Sequence, residues 1–198
     1  MSLHQVHGGS CNMFTNHKRL LYPIHITKKD PHFAKIVVTQ FGGPYGELGA
    51  ALRYLMQRYT MPDERGRTLL TDIAVEEFGH VEMINTIVAQ LVEGVPLEEL
   101  KKAGFSANYA EHGYGQFPTD AQGVPFSVAG IGSTGDYQAD LAEDMAAEEK
   151  ARLTYEHLID LTDNPEVKNV LLYLRQREVV HYNRFKDMLE TYNKEFKK

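Results

Sequence analysis

The stretch VEEFGH, residues 75–80, places a carboxylate three residues before a histidine within a segment whose apolar spacing indicates a buried helix. An α-helix turns about 100° per residue, so Glu77 falls on the apolar face of Ile73, and His80 follows one turn later on that face. Glu76 is expected on another side of the helix. Because an unpaired carboxylate in a core is costly, a buried Glu77 needs a compensating partner.

The same Glu-x-x-His spacing recurs in the stretch REVVH, residues 177–181. Helical spacing places Glu178 and His181 on the apolar stripe that includes Leu174 and Phe185. One such pair is a weak signal, since many matches of this kind are surface or structural residues. Two pairs, each on the apolar stripe of a separate helix, favour a metal site.

Two further helical patterns each carry one inward carboxylate. Glu148 continues the stripe of Leu141, and Glu47 lies on the stripe of Ala51 and Tyr54. One Glu from each of two helices plus Glu-x-x-His from each of two others is the pattern of dinuclear sites in ferritin-like bundles. Oxygen and imidazole ligands without thiolate favour manganese or iron. Tyr54 is expected either to form a hydrogen bond to a residue of the site or to pack in the core without a role in the site.

Helix start and stop signals predict an all-α, ferritin-like four-helix bundle. The predicted helices run from Asp30 to about Tyr59 with an interruption at 42–44, from 60–63 to Gly94, from 133–136 onward, and from 163–166 onward. Residues 94–135 hold eight of the sixteen glycines, which predicts one long crossover between the second and third helices with little regular structure beyond a turn at 97–102. We therefore predict an extended N-terminal segment (1–29) and a bundle domain (30–195).

Composition excludes several classes of function. The net charge of −6 and the lack of a basic cluster argue against nucleic acid binding. No apolar run is long enough to span a membrane and no signal peptide is recognisable, so a cytoplasmic location is expected. Cys11 is the only cysteine, so metal ligands must be Glu, Asp or His. The N-terminal histidines His4, His7, His17 and His25 are too irregularly spaced to define a site.

Four stretches together resemble the manganese catalase family. They are FGGPYGELGAALRY (41–54), DIAVEEFGHVEM (72–83), the segment 134–148 and the segment 178–181, and the resemblance covers about 170 of the 198 residues. The short chain further resembles the compact branch associated with bacterial spore coats, rather than longer enzymes with an extended C-terminal tail. The resemblance implies a homo-oligomer, in the cytoplasm or the spore coat, with spore-coat proteins as possible partners.

The resemblance also implies roles for individual residues. Two manganese ions per subunit would be held by Glu47, Glu77, His80, Glu148 and His181, with Glu77 and Glu148 as bridges. Glu178 matches a carboxylate that in this family stays outside the ligand sphere and moves protons, and Tyr54 matches a tyrosine beside the ligands.

The chain departs from some members, which carry a basic residue at one of two positions near the metal. Those positions are Ala147 and Tyr155 in this sequence. The absence of a basic residue at both positions is expected to change the charge of the channel through which substrate reaches the metals, and with it the turnover rate.

The activity implied is disproportionation of hydrogen peroxide to water and dioxygen, with the metals cycling between Mn(II)/Mn(II) and Mn(III)/Mn(III). Two alternatives stay open. One is a di-iron oxidase or peroxidase of the ferritin or rubrerythrin kind, in which Glu178 would be a direct ligand. The other is a non-catalytic spore-coat protein that keeps the metal bundle as a structural core.

Overall fold

The computed structural model describes residues 19–196, and the regular secondary structure in that range is helical. No β-strand occurs among these residues; an isolated bridge joins Thr119 and Pro125. In chain order the helices are α1 (Pro31–Val37), α2 (Thr39–Gly42), α3 (Glu47–Gln57), α4 (Glu64–Val92), α5 (Leu97–Lys102), α6 (Ser106–His112), α7 (Tyr137–Asp160) and α8 (Pro165–Glu195), with 3-10 turns at Arg58–Thr60 and Val128–Gly130.

Two long hairpins form the bundle. Helix α3 packs along α4, and α7 packs along α8, while α1 and α2 also rest on α4. The chain between α4 and α7 is the long crossover that joins the two hairpins. This arrangement confirms the predicted all-α, ferritin-like four-helix bundle.

The predicted helix starts are confirmed by their caps. Asp63, Asp136 and Asn164 each accept hydrogen bonds from backbone amides in the first turn of α4, α7 and α8. Asp30 caps α1 in the same way, with Phe33 N donating at 2.9 Å. These side chains satisfy amide groups that have no partner within the helix, so they fix where each helix begins.

The first predicted helix is divided into α1, α2 and α3, with a break after Gly42. Pro44 lacks an amide donor, and Gly42 lies directly against the crossover. A Cβ atom on Gly42 would lie 2.6 Å from Pro118 C and 2.6 Å from Thr119 N, and Gly42 N donates to Thr119 O at 3.2 Å. The predicted interruption is therefore confirmed, and it brings the crossover onto the bundle.

The crossover contains more regular structure than the sequence indicated. The turn at 97–102 is confirmed as α5, but α6 and the turn Val128–Gly130 were not predicted. Helix α6 has no buried residue and no side-chain cap, so it leaves no apolar period or start signal in the sequence.

Residues 19–29 form no helix and run along the ends of α4 and α8. Ile26 N donates to Gln90 Oε1 at 2.7 Å, and Thr27 N donates to Glu166 Oε2 at 2.7 Å. His25 is exposed on this segment, whereas His4, His7 and His17 lie outside the described residues. Within 19–196, every helix is too short or too polar to cross a bilayer.

The core consists of two apolar clusters with polar residues between them. One cluster contains Leu70, Leu141 and Phe185, and the other contains Ile84 and Leu174. In each of α4, α7 and α8, the buried Glu and His residues lie between a part of the helix that belongs to one cluster and a part that belongs to the other. The bundle thus encloses its polar groups between two dry layers.

Candidate metal centre

Six carboxylate and imidazole side chains meet at the middle of the bundle, supplied by four helices. They are Glu47 at the first residue of α3, Glu77 and His80 in α4, Glu148 in α7, and Glu178 and His181 in α8. Each is at most 2% exposed. The helical register that places apolar neighbours in the two clusters also turns these side chains inward.

The first group surrounds His80. Its Nδ1 atom lies 2.6 Å from Glu77 Oε2, 3.5 Å from Glu47 Oε2 and 3.9 Å from Glu178 Oε1. One ligand atom from each of these four residues lies within 4.8 Å of all the others. Such spacing fits donors arranged around a single cation.

The second group surrounds His181. Its Nδ1 atom lies 2.7 Å from Glu77 Oε1 and 3.7 Å from Glu148 Oε2. Glu77 therefore turns one carboxylate oxygen to each histidine and belongs to both groups, while Glu148 belongs to the second. The two imidazole rings are 5.7 Å apart between centroids. A shared carboxylate between two ligand groups is the geometry of a bridging ligand.

Unpartnered polar atoms test whether a metal fits here. Among the described residues, Glu148 Oε2 and Glu178 Oε1 are buried without a hydrogen-bond partner. Glu77 Oε1 lies 2.7 Å from His181 Nδ1, and Glu76 Oε2 lies 3.2 Å from His181 Nε2, but neither pair has the angles of a hydrogen bond. Buried polar atoms without partners are costly, and so are four carboxylates enclosed together. Two divalent cations would neutralise four ionised carboxylates and take up the free lone pairs, so the residues fit a dinuclear metal centre.

The electrostatics of the protein groups alone point in the same direction. Burial raises the pKa of Glu47 to about 7 and holds the pKa of Glu178 well above its usual range, with the neighbouring Glu47 and Glu148 raising the latter further. Burial alone would lower the pKa of His80. The negative charges of Glu77 and Glu47 have the larger effect, so the pKa of His80 is raised overall. Without a cation the cluster retains protons that metal binding would displace.

Two tyrosines hold carboxylates of the cluster. Tyr54 Oη donates to Glu148 Oε1 at 2.5 Å, and Tyr155 Oη donates to Glu47. Both hydroxyls are buried, and burial raises both pKa values well above the usual range, so both stay protonated donors. Tyr155, a position where some relatives are expected to be basic, therefore contributes a hydrogen bond in place of a charge.

Glu76 is a residue that the sequence reasoning misplaced. It does not lie apart from the site: its oxygens lie 3.6 Å from His80 Nε2 and 3.2 Å from His181 Nε2, behind the two imidazoles. Arg177 fixes the same carboxylate through contacts of 2.5 and 3.2 Å. Partial burial disfavours the charged form of Glu76, but its contacts with His181, His80 and Arg177 lower its pKa overall. The i,i+4 spacing of Glu76 and His80 was the available signal.

The structure thus brings together all seven side chains singled out from the sequence: Glu47, Tyr54, Glu77, His80, Glu148, Glu178 and His181. Glu178 lies in the group of His80, close enough to the other donors for direct ligation as well as for proton transfer. Its role, and the assignment of the other residues as ligands, stay predictions.

Fold and cluster together define a class: ferritin-like helical bundles with a buried carboxylate and histidine centre suited to two metal ions. The chain belongs to the family described as manganese containing catalase, whose sequence profile matches residues 13–198.

Individual relatives agree with this assignment. Protein CotJC of Bacillus subtilis (strain 168) is 47% identical over 183 residues, which cover 92% of this chain and 96% of that protein. The manganese catalase of Bacillus subtilis is 36% identical over 186 residues, covering 87% of this chain and 68% of the longer relative. The crystal structure of wild-type KatB, a manganese catalase from Anabaena, superposes with a TM-score of 0.83 at 34% identity, over 90% of this chain and 80% of KatB.

Proposed function

We propose that the protein is a dimanganese catalase that converts two molecules of hydrogen peroxide into two of water and one of dioxygen. The observation that carries the proposal is the buried pair of ligand groups sharing Glu77. Membership of the manganese catalase family and the fold of KatB support it.

In this proposal Glu47, Glu77 and His80 would hold one manganese ion, and Glu77, Glu148 and His181 would hold the other. Glu77 would serve both ions, since its two oxygens face the two histidines, and Glu148 is proposed to be shared as well. Both histidines present Nδ1 to the ligand groups, while Glu76 lies behind their Nε2 atoms. A carboxylate behind a ligating imidazole fixes its orientation and increases its basicity.

The manganese pair, when bound, supplies two electrons or accepts two, alternating between Mn(II)/Mn(II) and Mn(III)/Mn(III). The reaction also needs protons, because reduction of one peroxide to two waters consumes two protons and oxidation of a second peroxide to dioxygen releases two. Glu178 is proposed to hold and transfer them at Oε1, which has no hydrogen-bond partner among the described residues. In the protein without metal, burial holds the pKa of Glu178 well above its usual range.

The surrounding residues orient the ligands and limit water. Tyr54 fixes Glu148 and Tyr155 fixes Glu47 by hydrogen bonds to one oxygen of each carboxylate. The two apolar clusters close the bundle above and below the centre. A rigid, largely dry site keeps the geometry of the ligands unchanged when the charge of the metals changes.

The deciding experiment combines metal analysis with a dioxygen electrode. Protein purified from manganese-supplemented cells should contain about two manganese ions per chain and release dioxygen on addition of peroxide. Metal-free protein prepared with a chelator serves as the control and should release none above background. Two bound manganese ions without dioxygen release would refute the proposed activity.

Two alternatives have support of their own. The position of Glu178 within the group of His80 is also what a di-iron site would use, so protein from iron-supplemented cells should be compared for metal content and activity. The second alternative is a non-catalytic coat protein, suggested by the similarity to CotJC along nearly the whole of both chains. Manganese binding with no dioxygen release would favour that second alternative.

Location and assembly are further parts of the proposal, suggested by the resemblance to the same family. We propose a homo-oligomer located in the cytoplasm or associated with the spore coat, where coat proteins would be its partners. The crossover leaves Val124 60% and Val128 67% exposed, which suits burial against another copy. A single monomeric species in sedimentation at micromolar concentration would contradict the assembly.

A further inference from the structure

The proposed metal centre lies across the seam between two helices of different hairpins, α4 and α8. Glu77 and His80 come from α4, and Glu178 and His181 come from α8. Glu77 Oε1 lies 2.7 Å from His181 Nδ1 across this seam. Separation of the two helices would therefore divide the ligand groups, so the contacts that close the seam bear on how the centre is loaded.

The two halves of the seam are bridged in different ways. From the level of the centre toward the N-terminus of α4, ion pairs join the helices directly: Arg177 contacts Glu76 at 2.5 Å, and Arg184 contacts Asp72 at 2.5 Å. Toward the C-terminus of α4, the extended segment 20–29 lies on both helices. We call this segment the clasp.

Hydrogen bonds attach the outer part of the clasp to both helices. On α4, Ile26 N donates to Gln90 Oε1 at 2.7 Å, and Gln90 Nε2 donates to Ile24 O at 3.2 Å. On α8, the Glu166 carboxylate accepts from Thr27 N at 2.7 Å and from Thr27 Oγ1 at 2.9 Å. The clasp thus ties the end of α4 to the start of α8.

Two side chains attach the inner part of the clasp at the level of the centre. Tyr22 stacks on Tyr173 of α8, with the ring centroids 4.9 Å apart. Leu21 lies against Gly79 of α4, where a Cβ atom would be 2.6 Å from Leu21 Cδ1. Because Gly79 directly precedes His80, the clasp reaches the turn of α4 that carries a proposed ligand.

We infer that the clasp holds the seam between α4 and α8 closed, and that its release sets the rate at which the centre takes up and loses manganese. The inference rests on the proposed function and deepens it. An ion held by ligands of both helices is released when those ligands move apart, and such local opening is limited by the contacts that must break first. Leu21 is 45% exposed, so the clasp can detach without unfolding of the helices.

A clasp of this kind has a kinetic signature. Its contacts with Gln90, Glu166, Tyr173 and Gly79 involve no proposed ligand side chain. Loss of these contacts should therefore accelerate manganese uptake and manganese release together, while the equilibrium affinity changes by less than about threefold. Damage to the ligands themselves would lower the affinity and would not accelerate uptake.

The rates are tested with Tyr22→Ala, which removes the ring that stacks on Tyr173. The matched control is Tyr114→Ala, which removes one ring of the Tyr109–Tyr114 pair in the crossover, where the centroids are 5.6 Å apart. Release of manganese to excess chelator, and uptake by metal-free protein, should each become about tenfold faster in Tyr22→Ala. Both rates should stay within about twofold of the wild type in Tyr114→Ala.

A second variant, Leu21→Ala, loosens the contact with Gly79 and should act in the same direction by about three- to tenfold. Metal analysis after separation from the chelator measures release, and a metal-sensitive dye measures uptake. Wild-type rates in both Tyr22→Ala and Leu21→Ala would overturn the inference. Weaker manganese binding without faster uptake would also overturn it, because that result would indicate damage to the centre.

Amide hydrogen exchange of the metal-free protein tests the clasp without any metal. In Tyr22→Ala the amides of 79–85 and 170–176 should exchange faster than in the wild type, while those of α3 keep their rates. Unchanged exchange at the seam would overturn the clasp. If the loaded wild type releases no dioxygen, catalase activity is refuted and both manganese rates still decide the inference, so the two failures are distinguishable.

Discussion

Glu178 differs from the other buried carboxylates of the centre because it also lines a pocket between α3 and α7 that opens to solvent. If it moves protons, Glu178→Gln retains both metals, since the amide keeps the shape of the side chain, but dioxygen release falls by about 10²-fold or more. Metal content and peroxide turnover, measured on one preparation, test this. Glu190→Gln, an exposed site further along α8, is the control.

The opposite result for Glu178→Gln has a clear meaning. Loss of one metal ion per chain would identify Glu178 as a direct ligand, as in a di-iron centre, and would contradict the proton-transfer role. The 3.9 Å distance between Glu178 Oε1 and His80 Nδ1 accommodates either arrangement, so the mutant decides between them.

Glu76 lies behind both histidines and should affect the metals without touching them. In Glu76→Gln the negative charge facing both Nε2 atoms is lost, so we expect manganese affinity to fall by about 10- to 100-fold. Titration of metal-free protein with manganese measures this directly. Glu149→Gln removes a carboxylate that pairs with Arg152 on the surface of α7, and its affinity should equal that of the wild type. Equal affinity in both mutants would show that Glu76 serves packing alone.

Residue spacing predicted the inward carboxylates and histidines because helical periodicity decides which side chains face a core. It did not reveal Glu76, which lies at the flank of its stripe and reaches the site through His181 and Arg177 on α8. Nor did it reveal the hydrogen bond from Tyr155 to Glu47, which joins α7 to α3. Contacts between helices depend on how the helices are rotated relative to each other. The spacing of residues within one helix does not reveal this rotation.

At the scale of elements, the break after α2 fixes the crossover to the bundle. Gly42→Ala places a Cβ atom 2.6 Å from backbone atoms of Pro118 and Thr119, so one of the two segments must shift. We expect a loss of about 1–3 kcal/mol in the free energy of unfolding, measured by denaturant titration of metal-loaded protein. In the control Gly49→Ala the nearest atom is Phe126 Cε2 at 3.7 Å, so stability should stay equal or rise by up to about 1 kcal/mol. Equal stability of the two variants would contradict the role of this contact.

The elements that were predicted best are those with both a cap and an apolar stripe. Helices α4, α7 and α8 have Asp63, Asp136 and Asn164 as caps, so their starts could be identified from sequence. Helix α6 has neither signal, because its side chains stay out of the core. The path of the crossover depends on long-range contacts such as the hydrogen bond between Gly42 and Thr119. The sequence shows the glycine that such a contact requires, but it does not show which residue lies against that glycine.

For the whole molecule, the polar centre between two apolar clusters links folding to metal binding. The clusters stabilise the bundle by burying apolar surface, but the enclosed carboxylates oppose folding unless protons or cations neutralise them. Asp144, also buried one turn before Glu148, adds to this cost, and burial raises its pKa well above the usual range. The metal-free and metal-loaded forms should therefore differ in the way their stability responds to pH.

In the metal-free protein, burial raises the pKa of Glu47 from 4.5 to about 7 and raises the pKa values of Glu148 and Glu178. The folded state then binds more protons than the unfolded state between about pH 4.5 and 7, so stability falls as pH rises through this window. The lowered pKa of Glu77 adds no slope there, because its carboxyl is ionised in both states above its ordinary value. Each proton contributes about 1.4 kcal/mol per pH unit.

Bound manganese should reverse this dependence, because its proposed ligands must be deprotonated to bind, and the loaded folded state would then hold fewer protons than the unfolded chain. Denaturant unfolding at about pH 5 and about pH 7 should show stability falling with pH for chelator-treated protein and rising for manganese-loaded protein. Glu47→Gln removes one titrating group and should flatten the metal-free slope, whereas the surface change Glu190→Gln should not. Parallel slopes for the two forms would contradict neutralisation of the buried carboxylates by bound metal, and with it the assignment of Glu47 as a ligand.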